Sequence, residues 1–162
     1  MRVTKLELEG RPNLPDPTRS ALERALAALA SPDGPTWIVL NRTDHDSIQA
    51  AGTVGRYVVE SRDCHGEGFC HWRATPKGRV LGEKVVLRYK MTCPIDRHAP
   101  RQCPLETHAA CVVGIDDVRH AFLAYFADCR RVATYDWHDV TVEYPVKKPG
   151  DDAPIRDIRP RG

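Results

Sequence analysis

Two adjacent cysteine–histidine pairs, Cys64-His65 and Cys70-His71, are the residues whose types and spacing most directly indicate chemistry. A glycine-containing turn at residues 66–68 separates them, so a β-hairpin would bring thiols and imidazoles to a spacing typical of zinc ligands. Neighbouring residues of a strand point to opposite faces, however, and no CxxC knuckle is present to bend the backbone around an ion. We therefore predict no metal and no cofactor, with a zinc site as the alternative.

The remaining cysteines leave two further interpretations open. A zinc site at the two cysteine–histidine pairs has further candidate ligands in Cys93, Cys103, Cys111, His98 and His108. Cys93 and Cys103 are also the most favourable disulfide pair for an exported protein. The chain begins without the apolar run of a signal peptide, so we expect six thiols in a cytoplasmic protein.

A cysteine nucleophile with a histidine base is the enzymatic interpretation of the same residues. It requires a thiol activated by a base or by a helix N-terminus, and no cysteine begins a predicted helix. Cys129 falls at the opposite, negative end of one. Gly52 and Gly55 are too few for a phosphate-binding loop and predict a turn. We predict that the protein is not an enzyme; the alternative is a small metal-binding or thiol-dependent enzyme using residues 64–71.

Length and charge restrict the class of protein. The 162 residues predict one domain with a core of its own, and 24 basic against 22 acidic residues give a net charge of only +2. Such a balance provides no strong field to attract nucleic acid. No stretch approaches the roughly 20 apolar residues that cross a bilayer. We expect a cytoplasmic protein whose partner is neither a nucleic acid nor a membrane.

The elements that must position these residues are strands in the middle and helices on either side. Asp16 and Pro17 predict the start of a first helix with an apolar face at Leu22, Ala25, Leu26 and Leu29. Strand-like segments lie at residues 3–8 before this helix and at 37–40, 57–60, 69–74 and 79–91 after it. Residues 93–105 are predicted to be a loop, with a short edge strand inside it as the alternative, and residues 108–113 to be a further strand.

A second helix at residues 115–129 has an unbroken apolar face, with Val118, Phe122, Tyr125 and Phe126 spaced three and four apart. Strands between helices, without βαβ alternation, indicate an α+β fold. We predict a single domain at residues 1–144, with an antiparallel sheet of five to seven strands and two main helices packed on it. Residues 145–162, rich in proline and charge, are predicted to form a tail.

Three motifs together resemble an immunity-protein family of bacterial polymorphic-toxin systems. They are Gly55-Arg56-Tyr57-Val58-Val59 in a strand, the Asp-Val-x-x-Ala-Phe-x-x-Tyr-Phe helix at residues 117–126, and Tyr135-Asp136-Trp137-His138-Asp139-Val140 at the end of the fold. Members of this family bind a toxin and block it, and the family is frequently encoded beside nucleic-acid deaminase toxins. The resemblance spans residues 3–140 and implies that the partner is a cognate toxin, of the deaminase class.

Two polar segments, residues 62–73 and 96–101, have the arginine and aromatic content of binding anchors. Trp37 and Trp137 are predicted to anchor the core, whereas Trp72 and Arg73 are predicted to be exposed contacts. The predicted partner-binding residues are Arg62, Asp63, His65, Glu67, Trp72, Arg73, Asp96, Arg97, His98 and Arg101.

Overall fold

The computed structural model describes residues 2–43, 45–65, 68–91 and 101–143, except for the side chains of residues 64 and 65. These ranges form a single α+β domain with a seven-stranded antiparallel sheet, a two-stranded sheet and two α-helices, which confirms the predicted fold class. The predicted tail at residues 145–162 lies outside the described residues. Within the described part of the chain, no helix combines the length and apolar character needed to cross a bilayer.

In chain order the elements are β1 (Lys5–Leu8), β2 (Leu14–Pro15), α1 (Arg19–Leu29), β3 (Trp37–Asn41), β4 (Ser47–Thr53), β5 (Arg56–His65), β6 (Gly68–Pro76), β7 (Lys84–Met91), β8 (Arg101–His108), α2 (Ile115–Asp128) and β9 (Tyr135–Asp139). The strands of the large sheet lie in the order β2-β1-β3-β4-β5-β6-β9, and every pair is antiparallel. Strands β7 and β8 form the separate two-stranded sheet. Short 3-10 turns occupy Ala109–Cys111 and Thr141–Glu143.

The main core lies between the large sheet and the two helices. Alternate residues of the central strands face α1 and α2, because side chains on a strand change face at every residue. The Tyr57 hydroxyl donates a 2.7 Å hydrogen bond to the Leu29 carbonyl oxygen, which satisfies a buried polar group and ties β5 to the end of α1. The fully buried side chains of this core include Leu22, Leu26, Leu29, Ile38, Leu40, Ile48, Tyr57 and Phe122.

The opposite face of the large sheet is covered in part by the β7–β8 hairpin. Val58 on β5 packs there against Leu87, Tyr89 and Leu105. Trp37 is partly buried and packs on this second cluster rather than on the main core. The molecule therefore has three layers, with helices on one face of the central sheet and a hairpin on the other.

Helix α1 begins later than the sequence predicts. Thr18 is the N-cap, and its Oγ1 accepts a 3.2 Å hydrogen bond from the backbone N–H of Ala21. Asp16 instead lies in the left-handed region, with φ of 43°, so its side chain belongs to the preceding turn. The prediction of a cap at Asp16 was wrong because two cap-forming residues stand close together in the sequence.

Three further boundaries differ from the prediction. Strand β4 was missed, because its sequence, SIQAAGT, contains few β-branched or aromatic residues; pairing with β3 and β5 stabilises it. The predicted strand at residues 108–113 is instead the turn Ala109–Cys111, and only Val113 bridges to Tyr57. The predicted loop at 93–105 overlaps β8 from Arg101 onward, and its residues 93–100 lie outside the described part.

Helix α2 confirms the prediction made from its apolar face. Val118, Phe122 and Tyr125 are buried against the sheet, and Phe126 is partly buried at the edge of the same core. The helix ends at Asp128, and its C-cap residue, Cys129, takes the left-handed conformation with φ of 53°. Arg130 and Arg131 lie beyond the helix end.

Candidate functional site

The end of the β5–β6 hairpin extends beyond the strands on either side of it. Pairing of β5 with β4 ends at Arg62, opposite Ser47, and pairing of β6 with β9 ends at Trp72, opposite Asp139. Residues 63–65 therefore pair only with residues of β6, and residues 68–71 pair only with residues of β5, within the described part of the large sheet. We call these residues the hairpin end.

Alternation along the hairpin separates its polar side chains onto two faces. Trp72 stands opposite Ser61, on the face that carries Ala74 and packs against α2. Arg73 stands opposite Glu60, on the other face. Residues that are adjacent in sequence therefore belong to different surfaces, and each face has to be considered by itself.

The helix face of the hairpin carries a cluster of Asp63, Trp72, Arg131 and Trp137, which we call the Trp–Arg cluster. Nη1 of Arg131 donates a 2.6 Å hydrogen bond to Oδ2 of Asp63. The guanidinium carbon lies 4.2 Å from the ring centroid of Trp72 and 6.0 Å from that of Trp137, within the range of cation–π attraction. The side chains of Arg131 and Asp63 are 29% and 28% exposed, so the cluster is accessible from solvent.

The two tryptophans of this cluster are held differently. Nε1 of Trp137 donates a 2.9 Å hydrogen bond to the Val132 carbonyl oxygen, and its ring packs edge-on against Tyr135 at 6.5 Å. Tyr135 is fixed in turn by a 2.7 Å hydrogen bond from its hydroxyl to Asp117 on α2. Nε1 of Trp72 is buried and finds no acceptor among the described residues. Trp137 is therefore anchored, whereas the hydrogen-bonding potential of Trp72 is incompletely satisfied.

The other face of the hairpin buries its charges. Arg73 was predicted to be exposed, but it is only 3% exposed and lies 2.8 Å from Oε1 of Glu60 and 2.7 Å from Oε2 of Glu143. Gln49 donates a 2.9 Å hydrogen bond to the second oxygen of Glu60. The exposure expected for Arg73 was wrong, because the strand register places it over the sheet next to two carboxylates. It contributes to folding and is not available as a surface anchor.

The geometry of the cysteine–histidine pairs bears on the metal and thiol alternatives. Cys70 belongs to the face of the Trp–Arg cluster, whereas His71 belongs to the opposite, buried face. Burial lowers the pKa of His71 to about 4, so the imidazole is neutral at physiological pH. No group of three or more potential metal ligands occurs among the described residues, and the side chains of Cys64 and His65 are not among them.

The other predicted contact residues fall into two groups. Arg62 is partly buried; its Nε donates a 2.9 Å hydrogen bond to the His45 carbonyl oxygen, and its guanidinium lies 5.8 Å from the Phe69 ring centroid. Arg101 is exposed at the start of β8, on the two-stranded sheet. The remaining predicted positions, Glu67, Asp96, Arg97, His98 and the side chain of His65, lie outside the described residues.

A cavity of about 170 Å³ opens beside Arg73, on the side of the sheet away from α2. Cys111 lines it, but this thiol is buried and lies 3.1 Å from the Thr75 hydroxyl oxygen. The cavity is large enough only for a small molecule, and its lining combines charged, polar and apolar side chains. The other lining residues are Leu81, His108, His138, Asp139, Val140 and Glu143.

Two members of the Trp–Arg cluster were not predicted as contact residues. Arg131 carried no prediction as a contact residue, and Trp137 was assigned to the core, which it only partly enters. Arg131 is separated from Asp63 by 68 residues. An arginine beyond a helix end followed by a tryptophan is a weak sequence signal, because nothing local identifies the carboxylate that completes the cluster.

Comparisons with protein-family models, with curated proteins and with solved structures find no match to this chain. Function therefore has to be inferred from the two faces of the β5–β6 hairpin. The helix face presents a partly exposed cluster of two tryptophans and an ion pair, whereas the opposite face encloses its charges. Composition and accessibility both favour the helix face as a binding surface.

Proposed function

We propose that the protein is an immunity protein that binds a cognate bacterial toxin and blocks it. The observation that carries this proposal is the partly exposed Trp–Arg cluster on a hairpin that extends beyond its neighbouring strands. The sequence motifs that resemble an immunity-protein family support the same function and imply a toxin of the nucleic-acid deaminase class.

The composition of the cluster suits an inhibitor. Binding energy at protein interfaces concentrates in a few tryptophan, tyrosine and arginine side chains, which bury a large area with few torsions to fix. Trp72 and Trp137 lie on paired strands, so little conformational entropy is lost when a partner covers them. The proposed contact surface therefore centres on Asp63, Trp72 and Trp137.

The geometry modifies the predicted set of contact residues in one respect. Arg73 is removed from the surface, because its guanidinium is buried between Glu60 and Glu143. Arg62 stays in the proposal as a partly buried neighbour of the hairpin end. The segment at residues 96–101 also stays in it, represented among the described residues by Arg101.

The experiment is a binding titration with the toxin encoded by the neighbouring gene, inactivated by mutation so that it can be purified. Trp72→Ala is expected to weaken binding by about 2 kcal/mol or more, roughly 30-fold in Kd, because it removes an interface anchor. Val80→Ala is the matched control, since Val80 is 86% exposed in the segment before β7 and its loss should leave Kd unchanged. Calorimetry gives Kd, and circular dichroism confirms that both variants are folded.

Two results would contradict the proposal at different levels. Unchanged affinity for a folded Trp72→Ala variant would show that the toxin binds elsewhere on the molecule. Absence of binding by the wild-type protein, together with failure to protect cells that express the toxin, would remove the immunity function itself.

A further inference from the structure

The Trp–Arg cluster has the composition of a binding site for a cation. Aromatic faces combined with a carboxylate recognise cationic groups, because the ring quadrupole and the negative charge act on the same ligand. Trp72 and Trp137 provide the faces at 4.2 and 6.0 Å, and Asp63 provides the carboxylate at 2.6 Å. We call these three residues the cage. In the free protein the cation that they hold is Arg131 of the same chain.

The cage and its occupant differ in how firmly they are placed. Asp63 lies on β5, Trp72 on β6 and Trp137 on β9, which are adjacent strands of one sheet. Arg131 lies in the connection between α2 and β9, where the backbone is neither helix nor strand. Rotation about the side-chain torsions of Arg131 is enough to empty the cage, and no strand pairing has to break.

We propose that Asp63, Trp72 and Trp137 form a guanidinium-binding site, and that Arg131 occupies it until an arginine of a partner protein replaces it. The site itself follows from the cage geometry, whereas the identification of the partner as the toxin rests on the proposed function. A toxin that acts on nucleic acid needs cationic side chains to hold phosphates, so capture of one of its arginines would block its substrate cleft.

The contacts that Arg131 makes with the cage are weak enough for an arginine of the partner to replace it. An ion pair whose partners are 29% and 28% exposed is partly screened by water, and cation–π contacts at exposed positions are similarly weak. The guanidinium of the partner makes the same ion pair and the same cation–π contacts, so its replacement of Arg131 costs little free energy.

The test empties the cage by mutation and offers it a free guanidinium group. Two variants are titrated with N-acetyl-arginine amide while tryptophan fluorescence is followed. They are Arg131→Ala and Arg131→Gln, and the second keeps most of the aliphatic part of the side chain. N-acetyl-citrulline amide is the control ligand, because it has nearly the same shape and no charge. We expect a saturable change with the arginine derivative in both variants and none with citrulline.

Asp63→Asn introduced into the Arg131→Gln variant should weaken arginine binding about tenfold or more, because it removes the charge that pairs with the guanidinium. Equal responses to arginine and citrulline, no saturable response, or no effect of Asp63→Asn would each overturn the proposal. Failure of both Arg131 variants to fold would also overturn it, since Arg131 would then be a structural contact. None of these measurements requires the toxin, so their failure leaves the proposed function to its own test.

The affinity of the Arg131→Gln variant for the toxin then shows whether Arg131 or an arginine of the toxin occupies the cage in the complex. If the toxin supplies it, Arg131→Gln should bind the toxin at least as tightly as the wild-type protein, because the competing side chain is gone. If Arg131 itself were the anchor, the same substitution would weaken binding strongly and contradict the exchange.

Discussion

Arg73 lies between two carboxylates, Glu60 on the neighbouring strand and Glu143 on the 3-10 turn after β9. Charges are expensive to remove from water, and this arrangement offsets the cost by hydrogen bonds to both carboxylates. The guanidinium and Glu60 are both nearly inaccessible, whereas Glu143 is half exposed. Loss of Arg73 therefore removes the ion pair of a carboxylate that is nearly inaccessible to water.

The first prediction concerns Arg73. Arg73→Ala should lower the free energy of unfolding by about 3–5 kcal/mol, because the buried carboxylate of Glu60 loses its ion pair with Arg73. Arg88→Ala, at an exposed position on β7, is the control and should change it by no more than about 0.5 kcal/mol. Urea denaturation measures both. The double variant Glu60→Gln with Arg73→Met should be more stable than Arg73→Ala alone, because it buries no carboxylate charge at position 60. If both variants lose the same free energy of unfolding, the buried charge of Glu60 is not the cause of the loss.

The second prediction concerns the pH dependence of stability through His71. Burial lowers its pKa to about 4, with Arg62 and Arg73 acting in the same direction and Glu60 opposing them. The unfolded chain, with a histidine pKa near 6.5, therefore takes up the proton first, so the contribution to stability is complete above about pH 6.5 and is lost as the pH falls toward 4.

Between pH 7 and pH 4.5 the wild-type protein should lose about 2–3 kcal/mol more stability than His71→Gln, as measured by denaturation at each pH. Parallel curves for wild type and His71→Gln would show that His71 does not cause the loss.

At the scale of elements, α2 connects the core to the candidate site. Its apolar face packs on the sheet through Val118, Phe122 and Tyr125, and its C-terminus at Cys129 directs the chain toward the hairpin end. Arg131 reaches Asp63 from there. The position of the Trp–Arg cluster therefore depends on how firmly α2 is packed.

The third prediction tests this packing. Phe122→Ala should lower the free energy of unfolding by about 3–5 kcal/mol, because Phe122 is fully buried between α2 and the sheet. Arg119→Ala, on the exposed side of the same helix, should cost no more than about 0.5 kcal/mol. A loss below about 1 kcal/mol for Phe122→Ala would show that this face of α2 is not part of the core.

At the scale of the whole molecule, three layers divide the polar residues between two environments. The helices and the Trp–Arg cluster share one face of the central sheet, and the ion pair of Arg73 with Glu60 lies on the other. Substitutions in the Trp–Arg cluster are therefore expected to affect binding, and those of Arg73 and Glu60 to affect stability. Trp72 and Arg73 are adjacent in sequence, but their substitutions should have different effects. Substitution of Trp72 should lower the affinity for the partner, and substitution of Arg73 should lower the free energy of unfolding.

The fourth prediction concerns metal. The protein should fold without a bound ion, because Cys70 and His71 face opposite sides of the sheet and do not converge on one point. Exhaustive treatment with a chelator should leave the Tm unchanged, and elemental analysis should find zinc well below one equivalent. Stoichiometric zinc whose removal unfolds the protein would instead support the metal-binding alternative.

Local patterns in the sequence were enough to predict much of the fold. The apolar faces of α1 and α2 predicted two helices, and β3, β5 and β6 were predicted in part from alternating or apolar runs. Such patterns succeed because burial of one face repeats with the period of the element itself. Strand β4 lacks that signal and is stabilised by its neighbours, so its sequence did not predict it.

The candidate site was only partly predictable for the same reason. Sequence alone singled out Asp63 and Trp72 as contact residues, but it also assigned Arg73 to the surface. Strand register decided otherwise, because alternation places Arg73 beside Glu60 on the buried face. The contacts of Arg131 with Asp63 and of Arg73 with Glu143 join residues 68 and 70 positions apart. Local periodicity carries no information about such pairs, so only the tertiary structure determines which charges meet and which remain accessible.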